Sequence, residues 1–157
     1  MIESVDFWPR LPAEDFPFSP LHAVISITDL KQEPARIAGA GDLLRLEFYD
    51  MTEPADDDPR FGPETLFSVD QARAVQELIA RLQAQAEVRK VVVQCEAGVS
   101  RSAAIALFVE AATGCGFSTR DKAAQANRHV LRVLADVTGV VAEPPPEKVA
   151  AGGILLF

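Results

Sequence analysis

Val91-Val92-Val93-Gln94-Cys95-Glu96-Ala97-Gly98-Val99-Ser100-Arg101-Ser102 joins a strand, a tight turn and the start of a helix. The valine run lies inside Val88–Gln94, VRKVVVQ. Three consecutive β-branched residues predict a strand buried on both faces, as in a parallel sheet covered by helices. Gly98 breaks regular structure. Ser100–Thr113 is then alanine-rich and predicts a helix stopped by Gly114 and Gly116.

Upstream, Ser68-Val69-Asp70-Gln71 reads as a capping box, and Ala72, Val75, Leu78, Ile79, Leu82 and Ala86 follow at helical spacing. Leu43–Tyr49 alternates Leu44, Leu46 and Phe48 against polar neighbours and predicts a strand ending at Asp50, entered through a turn at Gly39 and Gly41. His22–Thr28, HAVISIT, predicts a buried strand ending at Asp29. The first twenty residues hold four prolines and predict an irregular segment laid over the core by Phe7, Trp8, Phe16 and Phe18. Downstream, Ser118 is expected to cap one helix over Thr119–Val137, with Val130, Leu131, Leu134 and Val137 as its apolar stripe and Gly139 as its stop. Strands alternate with helices. The class is α/β: a central, mostly parallel sheet flanked by helices, with the Cys95 strand–loop–helix at its C-terminal edge.

The chain has 157 residues, one domain at about 100–200 residues per domain. We expect that domain over residues 1–142, and a Pro/Gly-containing tail over residues 143–157 that ends in ILLF. Its 48% apolar content excludes general disorder. The net charge of −8 argues against nucleic-acid and anionic-membrane partners, which need basic patches. No apolar run approaches the roughly 20 residues of a membrane span. Met1–Arg10 carries two acids and no apolar stretch, unlike a secretory signal. Cys95 and Cys115 are too few for a disulfide scaffold, so a cytoplasmic location with a free thiol is expected. Eleven arginines against four lysines, with 24 alanines, suggest GC-rich bacterial coding.

A strand end that feeds a helix N-terminus is a common anion site in α/β proteins. A loop containing Gly98 can turn the backbone N–H groups of Glu96, Ala97, Gly98, Val99, Ser100 and Arg101 inward as a nest for phosphate. Arg101 adds a bidentate fork. A free thiol with a pKa of about 8.5 is only about 3% thiolate at pH 7. Oriented amides, the helix dipole and Arg101 all favour the anion at Cys95, making it a nucleophile behind a bound phosphorus. Ser102 can donate a hydrogen bond to the thiolate as it departs.

Cys95-Glu96-Ala97-Gly98-Val99-Ser100-Arg101-Ser102 resembles the active-site loop of cysteine-dependent protein phosphatases, and its Ala-Gly-x-Ser-Arg-Ser ending is most similar to the dual-specificity branch. The resemblance covers Val88–Thr113 and extends from His22 to about Val137. It implies hydrolysis of phosphotyrosine or phosphoserine/threonine on a protein, or of a small phosphomonoester, through a cysteinyl-phosphate. It implies no metal and no organic cofactor. Glu96 and Val99 stand where phosphoinositide phosphatases of the superfamily often carry lysines, so a polyphosphorylated lipid is disfavoured. One departure stands out: the family usually has His before the Cys, and this chain has Gln94, which carries no charge.

The family also uses an Asp from a separate loop as general acid. Asp50 is the first choice, because a parallel second strand would bring it to the edge where Cys95 emerges. Glu53 and the run Asp56-Asp57-Asp58 are alternatives, as is Asp29 at the end of another strand. Trp8-Pro9-Arg10 has Arg where the Trp-Pro-Asp loop of tyrosine phosphatases has Asp, and lies at the wrong end of the chain. Asn127 and Arg128 read equally as pocket wall or helix surface. Rival readings are a catalytically dead phospho-binding module, motivated by Gln94, and a sulfurtransferase or arsenate reductase. An arsenate reductase needs a second nearby thiol, and a helix of about 14 residues puts Cys115 roughly 20 Å from the loop.

Overall fold

The computed structural model describes residues 1–55 and 57–148. Four strands form one sheet: β1 (Ile2–Trp8), β2 (His22–Thr28), β3 (Asp42–Glu47) and β4 (Arg89–Gln94). Their order is β1-β4-β2-β3 and every pairing is parallel. The valine run therefore lies on an inner strand, as its two-sided hydrophobicity predicts. Val91 and Val93 pack with Ile25 and Ile27 into the main core, while Val92 and Val24 pack with Phe18 on the opposite face.

The main core lies between the sheet and three helices, α2 (Val69–Ala84), α3 (Arg101–Thr113) and α4 (Arg128–Thr138). The capping box at the head of α2 is present in both directions: Ser68 Oγ accepts from the Gln71 N–H at 3.1 Å, and Gln71 Oε1 accepts from the Ser68 N–H at 3.0 Å. Nine consecutive residues of α3, Arg101 to Val109, are buried. A helix apolar all round must be covered all round, and Ala103, Ala104 and Ala106 let its neighbours approach closely. Gly114 and Gly139 end α3 and α4 in the left-handed conformation. No helix among the described residues is long and apolar enough to cross a membrane.

Two expectations fail. Most of the first twenty residues are not irregular: β1 pairs with β4 along its length, and a short helix, α1 (Arg10–Asp15), follows. Residues 16–20 are left without helix or strand, while Trp8, Phe16 and Phe18 pack on the sheet as expected. The prolines start only at Pro9. Before them Ile2, Val5 and Phe7 are buried against the core. Pro12 lies in the first turn of α1, where its missing N–H costs nothing. Nor is Thr119–Val137 one helix capped by Ser118. Arg120–Lys122 forms a single 3-10 turn, and Asn127 caps α4, its Oδ1 accepting from the Val130 N–H at 3.0 Å. Ala123 and Ala126 are buried in the main core ahead of α4 without forming part of a helix. Of the tail, Glu143 O accepts from Arg120 and Lys148 pairs with Asp121. Asp56 and the ILLF ending lie outside the described residues.

Candidate active site

An all-parallel sheet brings the C-terminal ends of its strands to one edge. Trp8, Asp29, Asp50 and Cys95 follow or end the four strands there. Cys95 leaves β4 with its N–H donating to Trp8 O at 3.3 Å, and the residue is 2% exposed. Its Sγ is 3.0 Å from Ser102 Oγ, which is itself buried in the first turn of α3. The loop between them is held from two sides. Glu96 O accepts from the Arg10 N–H at 3.2 Å, and Ser100 O from the Asn127 N–H at 3.1 Å. Gly98 has φ +65°, and a Cβ there would lie 2.3 Å from the Pro9 nitrogen. Both the backbone angle and the close approach require glycine.

The backbone N–H groups of residues 96–101 find no acceptor among the described residues. Arg101, 5% exposed, has an equally uneven set of partners. Its Nη1 donates to Asp29 Oδ1 and to Phe48 O, each at 2.7 Å, and its guanidinium lies 5.9 Å from the centre of the Phe48 ring. Its Nε is buried without a partner among the described residues. A buried donor with no acceptor costs about 1–3 kcal/mol. The Nη1 side of the guanidinium is pinned, while Nε makes no hydrogen bond among the described residues.

Asp50 reaches the loop as expected. Its Oδ1 accepts from Ser100 Oγ and from Asn127 Nδ2, both at 2.8 Å. The other candidate acids are differently engaged. Asp29 is the partner of Arg101. Asp58 caps the turn at Pro59–Phe61 and pairs with Arg60 at 2.7 Å, whose hydrogen bonds lower its carboxyl below the ordinary range. Glu53 lines the same cleft as Asp50 and Ser100, and among the described residues neither it nor Asp57 hydrogen-bonds to the Cys95 loop.

Gln94 points to the sheet face opposite Cys95. Its Oε1 accepts from Ser26 Oγ at 2.6 Å, and Ser26 Oγ accepts from Arg45 Nη1 at 3.1 Å. Ser26 is the register partner of Gln94 across β2 and β4. Partial burial lowers the Arg45 guanidinium below its ordinary value. Cys115 is a free thiol that burial pushes up.

Several clefts border the loop. One, of about 660 Å³, is walled by Trp8, Pro12, Phe16 and Lys122 and touches the loop at Gly98 and Val99. Another, of about 540 Å³, is lined by Asp50, Ser100, Asn127 and Arg128. Sequence reasoning missed the roles of Asp29, Ser26 and Asn127. A strand-end Asp was visible as a residue at the right edge, but its pairing with Arg101 had no local signal. No family model, no curated protein and no solved structure matches this chain.

Proposed function

We propose that the chain is a cysteine-dependent phosphomonoester hydrolase of the protein tyrosine phosphatase kind, most similar to its dual-specificity branch. The observation that carries the reading is the set of uncommitted donors around Cys95: the amides of residues 96–101 and the buried Arg101 Nε. Together they suit a tetrahedral oxyanion such as phosphate, since each ligand oxygen can accept several bonds.

In this mechanism the Cys95 thiolate attacks phosphorus in line. The S–P bond forms as the bond to the leaving oxygen breaks, and Asp50 gives its proton to that oxygen. The loop amides and Arg101 stabilise the charge on the equatorial oxygens. Asp50, now a carboxylate, takes a proton from water, whose oxygen attacks the cysteinyl-phosphate. The S–P bond breaks, Ser102 Oγ donates to the departing thiolate, and inorganic phosphate leaves.

Turnover of p-nitrophenyl phosphate by the wild type and by Cys95→Ser tests this. We expect Cys95-dependent hydrolysis that the serine variant abolishes. Wild type that binds a phosphopeptide without turnover at pH 5–8 would make the chain a phospho-binding module. Sulfur transfer from thiosulfate to cyanide would replace phosphate chemistry altogether.

A further inference from the structure

Asn127 ties together three segments that are distant in sequence. Its backbone N–H donates to Ser100 O, and its Oδ1 accepts from the Val130 N–H at the head of α4. Its Nδ2 donates to Asp50 Oδ1 at 2.8 Å and to Met51 O at 3.3 Å. The residue is 2% exposed. A helix cap alone needs only the side-chain oxygen, and Ser, Thr or Asp supplies one as well. The amide nitrogen that distinguishes Asn from those is the group facing Asp50.

Ser100 Oγ donates to the same Asp50 oxygen, at 2.8 Å. Asp50 Oδ2 finds no partner among the described residues. An oxygen that already accepts two hydrogen bonds is the poorer site for a proton, which goes to the other one. The geometry points to Asn127 as a positioning residue for general-acid catalysis: with Ser100 it holds Asp50 Oδ1 as an acceptor, so that Oδ2 carries the proton given to the leaving oxygen. This rests on Asp50 being the acid of the proposed phosphomonoesterase. Asn127 keeps its own protons throughout. The proton moves from Asp50 Oδ2 to the leaving oxygen, and Asp50 recovers one from the attacking water.

Acid assistance matters most for a poor leaving group. Phenol, like the tyrosine side chain with its pKa of about 10, is poorer than p-nitrophenol. The test compares kcat and KM on phenyl phosphate and p-nitrophenyl phosphate for wild type, Asn127→Ser, Ser100→Ala, Asp50→Asn and the Asp50→Asn/Asn127→Ser double variant. Serine keeps the cap of α4 and removes the donor to Asp50; Ser100→Ala removes the second donor without touching the cap. We expect Asn127→Ser to lower kcat on phenyl phosphate by about 10- to 100-fold, the scale of a misplaced catalytic group. The loss on p-nitrophenyl phosphate should be several-fold smaller, with little change in KM. In the Asp50→Asn background the Asn127 change should cost nothing further. Equal losses on both esters, or losses that multiply in the double variant, would overturn the assignment and leave Asn127 a helix cap. A leaving-group effect at Asp50→Asn without one at Asn127→Ser overturns this inference alone. Absence of any Cys95-dependent turnover overturns the underlying reading with it.

Discussion

Replacing Arg101 by lysine separates an arginine that binds the substrate from one that only braces the fold. Nη1 already holds Asp29 Oδ1 and Phe48 O, each at 2.7 Å, and the buried Nε holds nothing among the described residues. A guanidinium can keep that brace with one part while another meets two phosphate oxygens. An ammonium is a single point and cannot do both. In Arg101→Lys the fixed acceptors on the protein compete for it, and the phosphate loses a bidentate pair. Hydrogen bonds to charged groups contribute about 1.5–3 kcal/mol each, so two amount to roughly 3–6 kcal/mol. At about 1.4 kcal/mol per decade, kcat/KM on p-nitrophenyl phosphate should fall roughly 10²- to 10⁴-fold. Stability should change little, because lysine can still pair with Asp29. A second readout does not depend on turnover: inorganic phosphate should raise the Tm of wild type through its preferential binding to the native state, and fail to raise that of the variant. A folded lysine variant that keeps kcat/KM within about threefold of wild type and the same phosphate-dependent Tm would show the uncommitted side of Arg101 to be irrelevant.

Two further predictions concern the frame around the site. Gly98→Ala places a Cβ 2.3 Å from the Pro9 nitrogen and 2.7 Å from its Cδ at φ +65°; the left-handed backbone alone costs about 1–2 kcal/mol, so calorimetry should record a Tm drop of about 5 °C or more, and an unchanged Tm would show that β1 can move away from the loop. Asp42 pairs with Arg89 at 2.6 Å and Arg81 at 2.9 Å. Arg89 is 4% exposed and keeps acceptors at Leu21 O, His22 O and Gln85 Oε1, so Asp42→Ala should cost about 3 kcal/mol, the lower end for breaking a buried pair. Burial by itself would raise the Asp42 carboxyl, but the hydrogen bonds and charges of Arg89 and Arg81 outweigh it and hold the group below its ordinary value. A depressed native pKa stabilises the fold fully above the unfolded value, near pH 4, and that contribution is lost as pH falls through the native one. Urea unfolding between pH 2 and pH 6 should therefore show a weaker acid destabilisation in Asp42→Asn than in wild type, and parallel pH profiles would contradict it.

The parts of this fold that could be read from sequence are those whose signals are local. Ser68 and Gln71 announce a helix start three residues apart, and the valine run of β4 announces two-sided burial without reference to any partner. β1 was hidden because its seven residues, which run directly into Pro9, were read together with the prolines that follow them. Its hydrophobic pattern, Ile2, Val5 and Phe7, is not a strict alternation, because the register with β4 shifts between Ile2 and Ser4. Asn127 was hidden for a different reason. Its value lies in contacts to residues 50 and 100, and nothing within a few positions of it encodes those distances. The same holds for Asp29: the parallel sheet that takes it to the edge also sets it against Arg101, which turns a candidate acid into the partner of a cation.

Gln94 fits this geometry. Side chains alternate along β4, so Cys95 faces α3 with Val91 and Val93, while Gln94 faces the other side with Val92. There it meets Ser26, its register partner, and through Ser26 the guanidinium of Arg45. The residue before the cysteine thus joins two neighbouring strands by side-chain hydrogen bonds just below the loop, a task that needs an acceptor and not a charge. A cation still stands two hydrogen bonds away, on β3. Position 94 itself carries no charge, so under the proposed function the loop's attraction for an anion falls to its amides, the dipole of α3 and Arg101. Of these, only Arg101 is a side chain, which is why its replacement is the sharpest single test of the site.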